Sequence, residues 1–111
     1  MAAPIPSRLT FVGTIRPGNT IEVRWITGHP METGFGVDPS GQRVLRNVIT
    51  SIRVTLDGRL LLEAEPGTGI SANPFLVFSL VVPPAGGTLA VEWIDDAGRR
   101  GNVAKTLMLE P

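Results

Sequence analysis

The apolar residues of this chain recur with a period of two almost everywhere, and no stretch shows a convincing helical period of 3.6. Ile21, Val23 and Trp25, for example, alternate with charged residues. Turn-forming Gly and Pro residues, 13 and 10 in number, punctuate the 111-residue chain. The pattern predicts a series of short antiparallel strands joined by turns, rather than a helical fold.

We predict seven strands, at residues 9–15, 20–27, 48–56, 59–65, 74–82, 88–94 and 102–109. Asp57-Gly58 predicts a type I′ hairpin between the third and fourth strands, because that turn needs positive φ at both positions. Short strands with regular turn signals are typical of an immunoglobulin-like β-sandwich. No repeat or linker indicates a second domain. We therefore expect one all-β sandwich domain over residues 1–111, with residues 1–8 as a flexible tail.

Charge and composition argue against several classes of function. Ten basic and ten acidic residues give a formal net charge of zero, so nucleic-acid binding is not expected. The longest apolar run, from Phe75 to Val82, is too short to cross a bilayer as a helix, and membrane insertion is not expected. The N-terminus lacks the basic start and apolar segment of a signal peptide. The absence of cysteine excludes disulfides, thiol nucleophiles and Cys-based zinc sites.

No group of residues in the sequence predicts a catalytic or metal site. His29 is the only histidine and has no nucleophile in a suitable motif, so we expect a loop histidine bonded to the backbone. His29 with Glu32 falls short of the three or four ligands of a zinc site. Asp95 and Asp96 are adjacent, which favours a turn over an acid–base pair. We expect no enzyme activity, no catalytic residue, no metal and no cofactor.

The fifth predicted strand is apolar on both faces. One face should meet the core, and the other carries Phe75, Val77 and Val81. The fourth strand has a similar apolar run that includes Leu61. A lone soluble domain rarely exposes such a surface. Two interpretations are open at this point: a partner binds this second face, or the long loop at residues 28–47 covers it.

Three motifs in this order resemble the SoxZ family of the bacterial sulfur-oxidising (Sox) system. They are HPMETG at residues 29–34, SANPF at residues 71–75 and WIDDAG at residues 93–98. The resemblance extends over nearly the whole chain. The chain departs from it at Gly28, where Ser is expected, and at residues 35–37, where family members often carry basic or polar side chains.

The resemblance implies a non-catalytic subunit of a SoxYZ-like carrier complex in thiosulfate and sulfur oxidation. SoxZ pairs with SoxY, which carries the sulfur substrate on a cysteine in a flexible C-terminal arm. The cysteine-free composition of this chain agrees with a complex in which SoxY alone carries the reactive cysteine. The resemblance also implies a periplasmic location, reached by co-export with the signal-bearing SoxY-like partner.

The candidate binding residues follow from these observations. We expect the partner to bind a surface formed by Phe75, Val77, Val81, Leu61 and Asn73. We expect transient recognition by other Sox enzymes at a loop formed by His29, Pro30, Met31, Glu32, Thr33 and Gly34, with His29 and Glu32 as polar contacts. The alternative is that Pro30 and Gly34 only shape this loop. The isolated chain is expected to hide the apolar patch in a homo-oligomer. An alternative function is a stand-alone ligand-binding or adhesion module.

Overall fold

The computed structural model describes residues 5–31, 34–66 and 74–111, which form strands and connecting loops without a helix. The strands are β1 (Ser7–Val12), β2 (Thr20–Thr27), β3 (Ile49–Leu56), β4 (Arg59–Ala64), β5 (Phe75–Val81), β6 (Gly87–Asp95) and β7 (Arg100–Leu107). They form a three-stranded sheet in the order β1-β2-β5 and a four-stranded sheet in the order β4-β3-β6-β7. Every pairing is antiparallel. The predicted β-sandwich is confirmed. Over the described ranges, no helix is long and apolar enough to cross a membrane.

The core lies between the two sheets and is built from the inward-facing alternate residues. The strands in the middle of each sheet supply most of it, and their fully or nearly fully buried side chains include Ile21, Val23, Trp25, Ile52, Val54, Leu89, Val91 and Trp93. Both tryptophans are therefore core residues, as the alternation predicts. The period of two places these residues on one face of each strand, and burying that face supplies the main stabilisation of the fold.

The first strand lies earlier in the chain than the sequence predicts. It begins at Ser7 and ends at Val12. Ser7 pairs with Thr27, and Arg8 also pairs with β2, so both residues belong to the sheet rather than to a flexible tail. The strand ends before Gly13 because the φ of Gly13 is 122°. Such a backbone conformation suits glycine and interrupts a regular strand.

The last strand also begins earlier than predicted, at Arg100. The turn before it is tight, since the Asp95 N–H donates to the Arg99 carbonyl at 3.0 Å. Gly101 then lies opposite Trp93 in the ladder between β6 and β7. A Cβ atom at Gly101 would overlap the Trp93 indole. Gly101 precedes the predicted strand, which starts at residue 102, but it is a strand residue, and it lacks a side chain because the indole occupies the space.

The hairpin between β3 and β4 has the predicted turn. The φ angles of Asp57 and Gly58 are 49° and 82°, as a type I′ turn requires. Beyond the turn, the register between β3 and β4 shifts at a bulge next to Val54. Bulges change the side to which neighbouring side chains point. Leu60 and Leu61 are consequently both exposed.

The two sides of the sandwich differ. On one side β1 contacts β7, and the Glu110 N–H donates to the Ile15 carbonyl at 2.8 Å. The edge strands of the other side are β5 and β4. The inward-facing residues Leu76, Phe78 and Leu80 of β5 are only half-buried. The side formed by β5 is therefore the open side of the core.

Candidate partner-binding surface

The outer face of the three-stranded sheet carries a group of exposed apolar side chains. Phe75 is 70% exposed, Val77 45% and Val81 59%. Two further exposed residues on this sheet, Ile26 and Val12, join them. We call these residues, Val12, Ile26, Phe75, Val77 and Val81, the apolar face. The sequence predicts the part of this face that lies on β5. The structure extends the face to residues of β2 and β1.

Strand register explains why Ile26 belongs to this group. Ile26 pairs with Phe75 across the β2–β5 ladder, and it is 48% exposed. Directly paired residues on one face of a sheet lie side by side. The sequence analysis did not select Ile26 or Val12. The available signal was that Ile26 directly follows the inward-facing Trp25, so that an apolar residue occupies an outward position of β2.

A shallow cleft lies within this face, with a volume of about 280 Å³. Its lining residues include Thr10, Ile26, Phe75 and Val77. Arg24 also lines it and forms an ion pair with Glu22, at 2.6 Å between Nη2 and Oε2. The two charges offset each other, so the centre of the face has no net charge from this pair. Apolar complementarity is then the main requirement for binding there.

The described parts of the long loop do not cover the apolar face. These parts, residues 28–31 and 34–47, bond instead to the end of β6 and the turn that follows it. The exposure of Phe75 and Val81 shows the same result directly. The sequence left two interpretations open, a bound partner or coverage by this loop. The described residues of the loop do not provide that coverage.

Leu61 and Asn73 do not join this surface. Leu61 lies on β4, in the other sheet. It lines a separate cleft of about 430 Å³, where the hairpin turn at Asp57 meets Pro83 and Pro84. Asn73 lies outside the described residues. Of the five residues expected to bind a partner, the structure brings together Phe75, Val77 and Val81.

His29 lies in the interior rather than on the surface. Its imidazole is fully buried and packs edge-on against Trp93, with ring centroids 5.2 Å apart. Nε2 is 2.9 Å from Asp95 Oδ2, and Nδ1 accepts a hydrogen bond from the Met31 N–H at 3.0 Å. Since Nδ1 is an acceptor, the imidazole is the neutral tautomer with the hydrogen on Nε2. Part of the expectation holds, because one ring nitrogen is bonded to backbone. The expected direct contact with a partner does not fit this buried position.

Asp95 is the centre of the network that receives His29. Its Oδ1 accepts hydrogen bonds from the Ala97 and Arg99 N–H groups, at 3.1 and 2.8 Å. With its amide turned so that both atoms are satisfied, Asn47 donates to Oδ2 at 3.0 Å. A buried carboxylate needs such donors to offset its loss of hydration. Asp95 therefore holds together the turn after β6 and the loop after β2.

Asp96 extends the network to the other end of the long loop. Its Oδ1 accepts from the Val48 N–H at 3.1 Å, and its Oδ2 lies 2.9 Å from Arg46 Nε. The Asp96 N–H in turn donates to the Val48 carbonyl at 3.0 Å. The adjacent carboxylates predicted to form a turn thus clamp both ends of the loop that precedes β3.

The other described residues of the predicted recognition loop differ in their exposure to solvent. Pro30 is exposed, whereas Met31 is buried and its Sδ accepts the Ile49 N–H at 3.3 Å. Gly34 has a φ of 93°, and a Cβ there would lie 3.3 Å from the Arg46 Cβ. Glu32 and Thr33 lie outside the described residues. These positions indicate that Met31 and Gly34 shape the loop. Pro30, in contrast, is exposed on its surface.

The second half of the loop forms a short hairpin with exposed apolar side chains. A β-bridge joins Val37 to Arg43, and the Val44 N–H donates to the Gly36 carbonyl at 2.9 Å. The Asp38 carboxylate closes the turn, and hydrogen bonds from the Ser40 hydroxyl and the Gln42 N–H hold its pKa below the usual range. The hairpin exposes Phe35 by 83% and Leu45 by 85%, more than any residue of the apolar face.

Among the residues that the structure describes, no group of three or more His, Asp or Glu side chains could hold a metal ion. The sequence contains no cysteine to add a thiolate ligand. The geometry therefore describes two surfaces and a buried clamp.

Comparison with known proteins gives one family and one fold. The family model described as "Sulphur oxidation protein SoxZ" matches residues 12–106. No curated protein matches the chain. Among solved structures, the superoxide reductase (neelaredoxin) from Ignicoccus hospitalis has a TM-score of 0.68 at 16% identity, over 94% of this chain and 80% of that one. A hypothetical protein from Pyrococcus horikoshii has a TM-score of 0.63 at 14% identity, over 97% and 91%. At such identities the structural likeness shows the sandwich fold alone.

Proposed function

This chain belongs to the SoxZ family of sulphur oxidation proteins, and on that premise we propose that it is the non-catalytic subunit of a sulfur-compound carrier. Membership makes it a subunit of the Sox sulfur-oxidation system. The finer role is to bind a SoxY-like protein that bears the carrier cysteine and to help present it to Sox enzymes. The observation that supports this role is the apolar face on the three-stranded sheet.

The outer faces of both sheets carry charged residues, but they differ in their apolar side chains. On the four-stranded sheet, Arg53 lies between Glu63 and Glu92, and Asn102 continues the row. Alternating charges of this kind suit contact with water. The outer face of the three-stranded sheet instead places Ile26 beside Phe75. The contrast favours the three-stranded sheet as the side that a partner covers.

The apolar face can contribute to the free energy of binding. Complete burial of one large apolar side chain contributes roughly 1.5–3 kcal/mol. Part of this free energy offsets the loss of translational and rotational freedom on association. Phe75, Val77 and Ile26 are each about half exposed or more in the free chain, so together they supply part of the free energy of binding, and the partner must bury further surface around them. The partner therefore needs an apolar surface of similar shape rather than a strong opposite charge.

The chemistry of sulfur attachment belongs to the partner in this proposal. Covalent attachment of a sulfur compound to a protein thiol requires a cysteine, and this sequence has none. Our proposal assigns the thiol to the SoxY-like chain and the docking surface to this chain. It also places the complex in the periplasm, where the partner's export signal would carry both proteins.

The loop at residues 28–34 is proposed as a second surface, which Sox enzymes contact while the partner remains bound. The buried His29 and Asp95 hold the start of this loop against the sandwich, and Pro30 is exposed there. Loops on a rigid scaffold are common sites of recognition. In this proposal, His29 acts through the position of the loop. Replacing Pro30 with Ala should slow turnover of the loaded carrier while partner binding is retained.

The main experiment is a pull-down with the SoxY-like partner. Val77→Glu places a carboxylate on the apolar face and should abolish co-purification, because the complex would have to bury this charge while the opposite residue, Arg24, is already paired with Glu22. Ala104→Glu is the matched control, since Ala104 is exposed on the outer face of the four-stranded sheet. Circular dichroism checks the fold of both variants. Normal binding by folded Val77→Glu would contradict the proposed surface. A loss of binding by Ala104→Glu as well would show that the effect is not specific to this face.

A further inference from the structure

The hydrogen bonds between β2 and β5 show which way the backbone groups of β5 point. The Thr27 N–H donates to the Pro74 carbonyl at 3.1 Å, and the Val82 N–H donates to the Asn19 carbonyl at 2.8 Å. Alternate residues of an antiparallel strand make both of their bonds to the same neighbour. The even-numbered residues from 74 to 82 therefore point their N–H and C=O groups toward β2. The residues whose backbone groups point to the opposite edge are Phe75, Val77, Ser79 and Val81.

Within residues 5–31, 34–66 and 74–111, this opposite edge has none of the usual protection. In the part of the chain that the structure describes, no strand pairs with it. The register with β2 runs from Phe75 to Val81 without a bulge, and this segment contains no charged residue and no proline. By contrast, β4 has a bulge and carries Arg59 and Glu63. Natural proteins rarely leave a flat, apolar strand edge uncovered.

The core is also incomplete beside β5. The inward-facing side chains of β2 are buried, including Val23 and Trp25. The adjacent inward-facing side chains of β5 are only half-buried, including Phe78 and Leu80. An additional strand on the free edge of β5 would cover these side chains. It would also satisfy the unpaired backbone groups of the edge.

We propose that the free edge of β5 pairs with β5 of a second copy of this chain, antiparallel about a two-fold axis at Phe78. The two three-stranded sheets then form one continuous sheet. In this register Phe75 lies opposite Val81 of the second copy, and Phe78 lies opposite Phe78. All the residues with outward-pointing backbone groups find partners, because residue 75 with residue 81 and residue 77 with residue 79 each exchange two hydrogen bonds. The Phe78 pair at the axis is a non-hydrogen-bonded pair of the ladder.

The composition of β5 identifies a second copy as the occupant. A two-fold interface brings one surface against itself, so the strand must be self-complementary. The strand reads FLVFSLV, which places an apolar residue opposite an apolar residue at every position except where Ser79 meets Val77. No charge meets a like charge across the axis. The phenylalanine pair at the axis adds an aromatic contact on the half-buried inner side.

The first test measures self-association of the whole purified chain by sedimentation equilibrium. Ser79→Pro removes an N–H from the free edge and leaves the bonds to β2 in place, since proline is tolerated at a solvent-facing edge position. Ser79→Ala changes the side chain alone and is the control. We expect a monomer–dimer equilibrium for the natural chain and for Ser79→Ala, and dimerisation at least about tenfold weaker for Ser79→Pro. A natural chain that stays monomeric at high concentration, or equal dimerisation of the two variants, would overturn the proposal.

The second test fixes the register by single-cysteine crosslinking, which is clean because the chain has no cysteine of its own. Residues 78 of the two copies would lie directly opposite, at a Cα separation of about 4.5–5.5 Å that permits a disulfide. Residues 81 would lie about 20 Å apart, six positions out of register. Oxidation should crosslink Phe78→Cys and should not crosslink Val81→Cys, although Val81 is the more exposed position. Equal crosslinking of both would overturn the register.

These tests are independent of the proposed carrier function. The Ser79 variants decide the edge pairing even where Phe78→Cys unfolds the chain, which circular dichroism would reveal. A chain that is monomeric alone and still co-purifies with its partner would overturn the homodimer and leave the partner-binding proposal in place.

Discussion

His29 Nε2 lies 2.9 Å from Asp95 Oδ2, and both side chains are fully buried. The two residues are 66 positions apart in the sequence. Their hydrogen bond joins the loop after β2 to the end of β6, which lies in the other sheet. The pair therefore links the two layers of the sandwich at the same end where the HPMETG motif begins.

His29→Ala should destabilise the fold by about 2–4 kcal/mol. The change removes a donor from the buried Asp95 carboxylate and an acceptor from the Met31 N–H, and it leaves a cavity beside Trp93. Chemical denaturation gives the free energy of unfolding. Arg43→Ala, at an exposed position of the same loop, is the control and should change it by less than about 0.5 kcal/mol. Equal effects of the two changes would show that the buried pair has no special role.

Ile26→Glu should weaken binding of the SoxY-like partner by about tenfold or more. Ile26 lies beside Phe75 on the apolar face, so a carboxylate there would be buried in the complex. Isothermal titration calorimetry measures the dissociation constant, with Ala104→Glu as the control on the opposite outer face. The free energy of unfolding should change little, because the side chain is about half exposed. Unchanged affinity would show that Ile26 does not belong to the binding surface, which would then be restricted to β5.

Gly101→Ala should destabilise the fold by about 1–3 kcal/mol. The added methyl group would overlap the indole of Trp93, which is a large buried residue of the core. Thermal unfolding followed by tryptophan fluorescence would report both the loss of stability and a displaced indole. Asn102→Ala is the control, because Asn102 is the exposed neighbour of Gly101. A stability equal to that of the natural chain would mean that the indole moves aside without cost.

The turn at Asp38 should lose its hydrogen bonds only in acid. The folded-state pKa of Asp38 is lowered from 3.8, chiefly by the Ser40 hydroxyl and then by the Gln42 N–H. Because the pKa is lowered in the folded state, the stabilisation from these hydrogen bonds is fully present above the unfolded-state pKa. It is lost as the pH falls through the lower folded-state pKa. NMR titration of the Asp38 carboxyl carbon should give a midpoint below 3.8. The Ser40 and Gln42 amide signals should follow the same titration. A midpoint above 3.8 would contradict these bonds.

Local patterns in the sequence were sufficient for most of the fold. The alternation through Ile21, Val23 and Trp25 predicted β2 with its observed limits, Thr20–Thr27. Asp57-Gly58 predicted its hairpin turn for a local reason, since only a few residue types accept positive φ. The limits of β1 were less well predicted, because they depend on pairing with β2 and on Gly13. Pairing partners are not visible in a single strand.

For the candidate site, the sequence by itself determined that β5 is apolar on both faces, and it carried the three motifs of the SoxZ family. Both are properties of consecutive residues. The tertiary structure decided that β5 is an edge strand, that Ile26 lies beside Phe75 and that Leu61 lies elsewhere. It also decided that His29 is buried against Asp95 rather than exposed for contact. The physical reason is that strand register and sheet order bring together residues far apart in the chain, and a one-dimensional pattern contains no information on which strand will lie beside which.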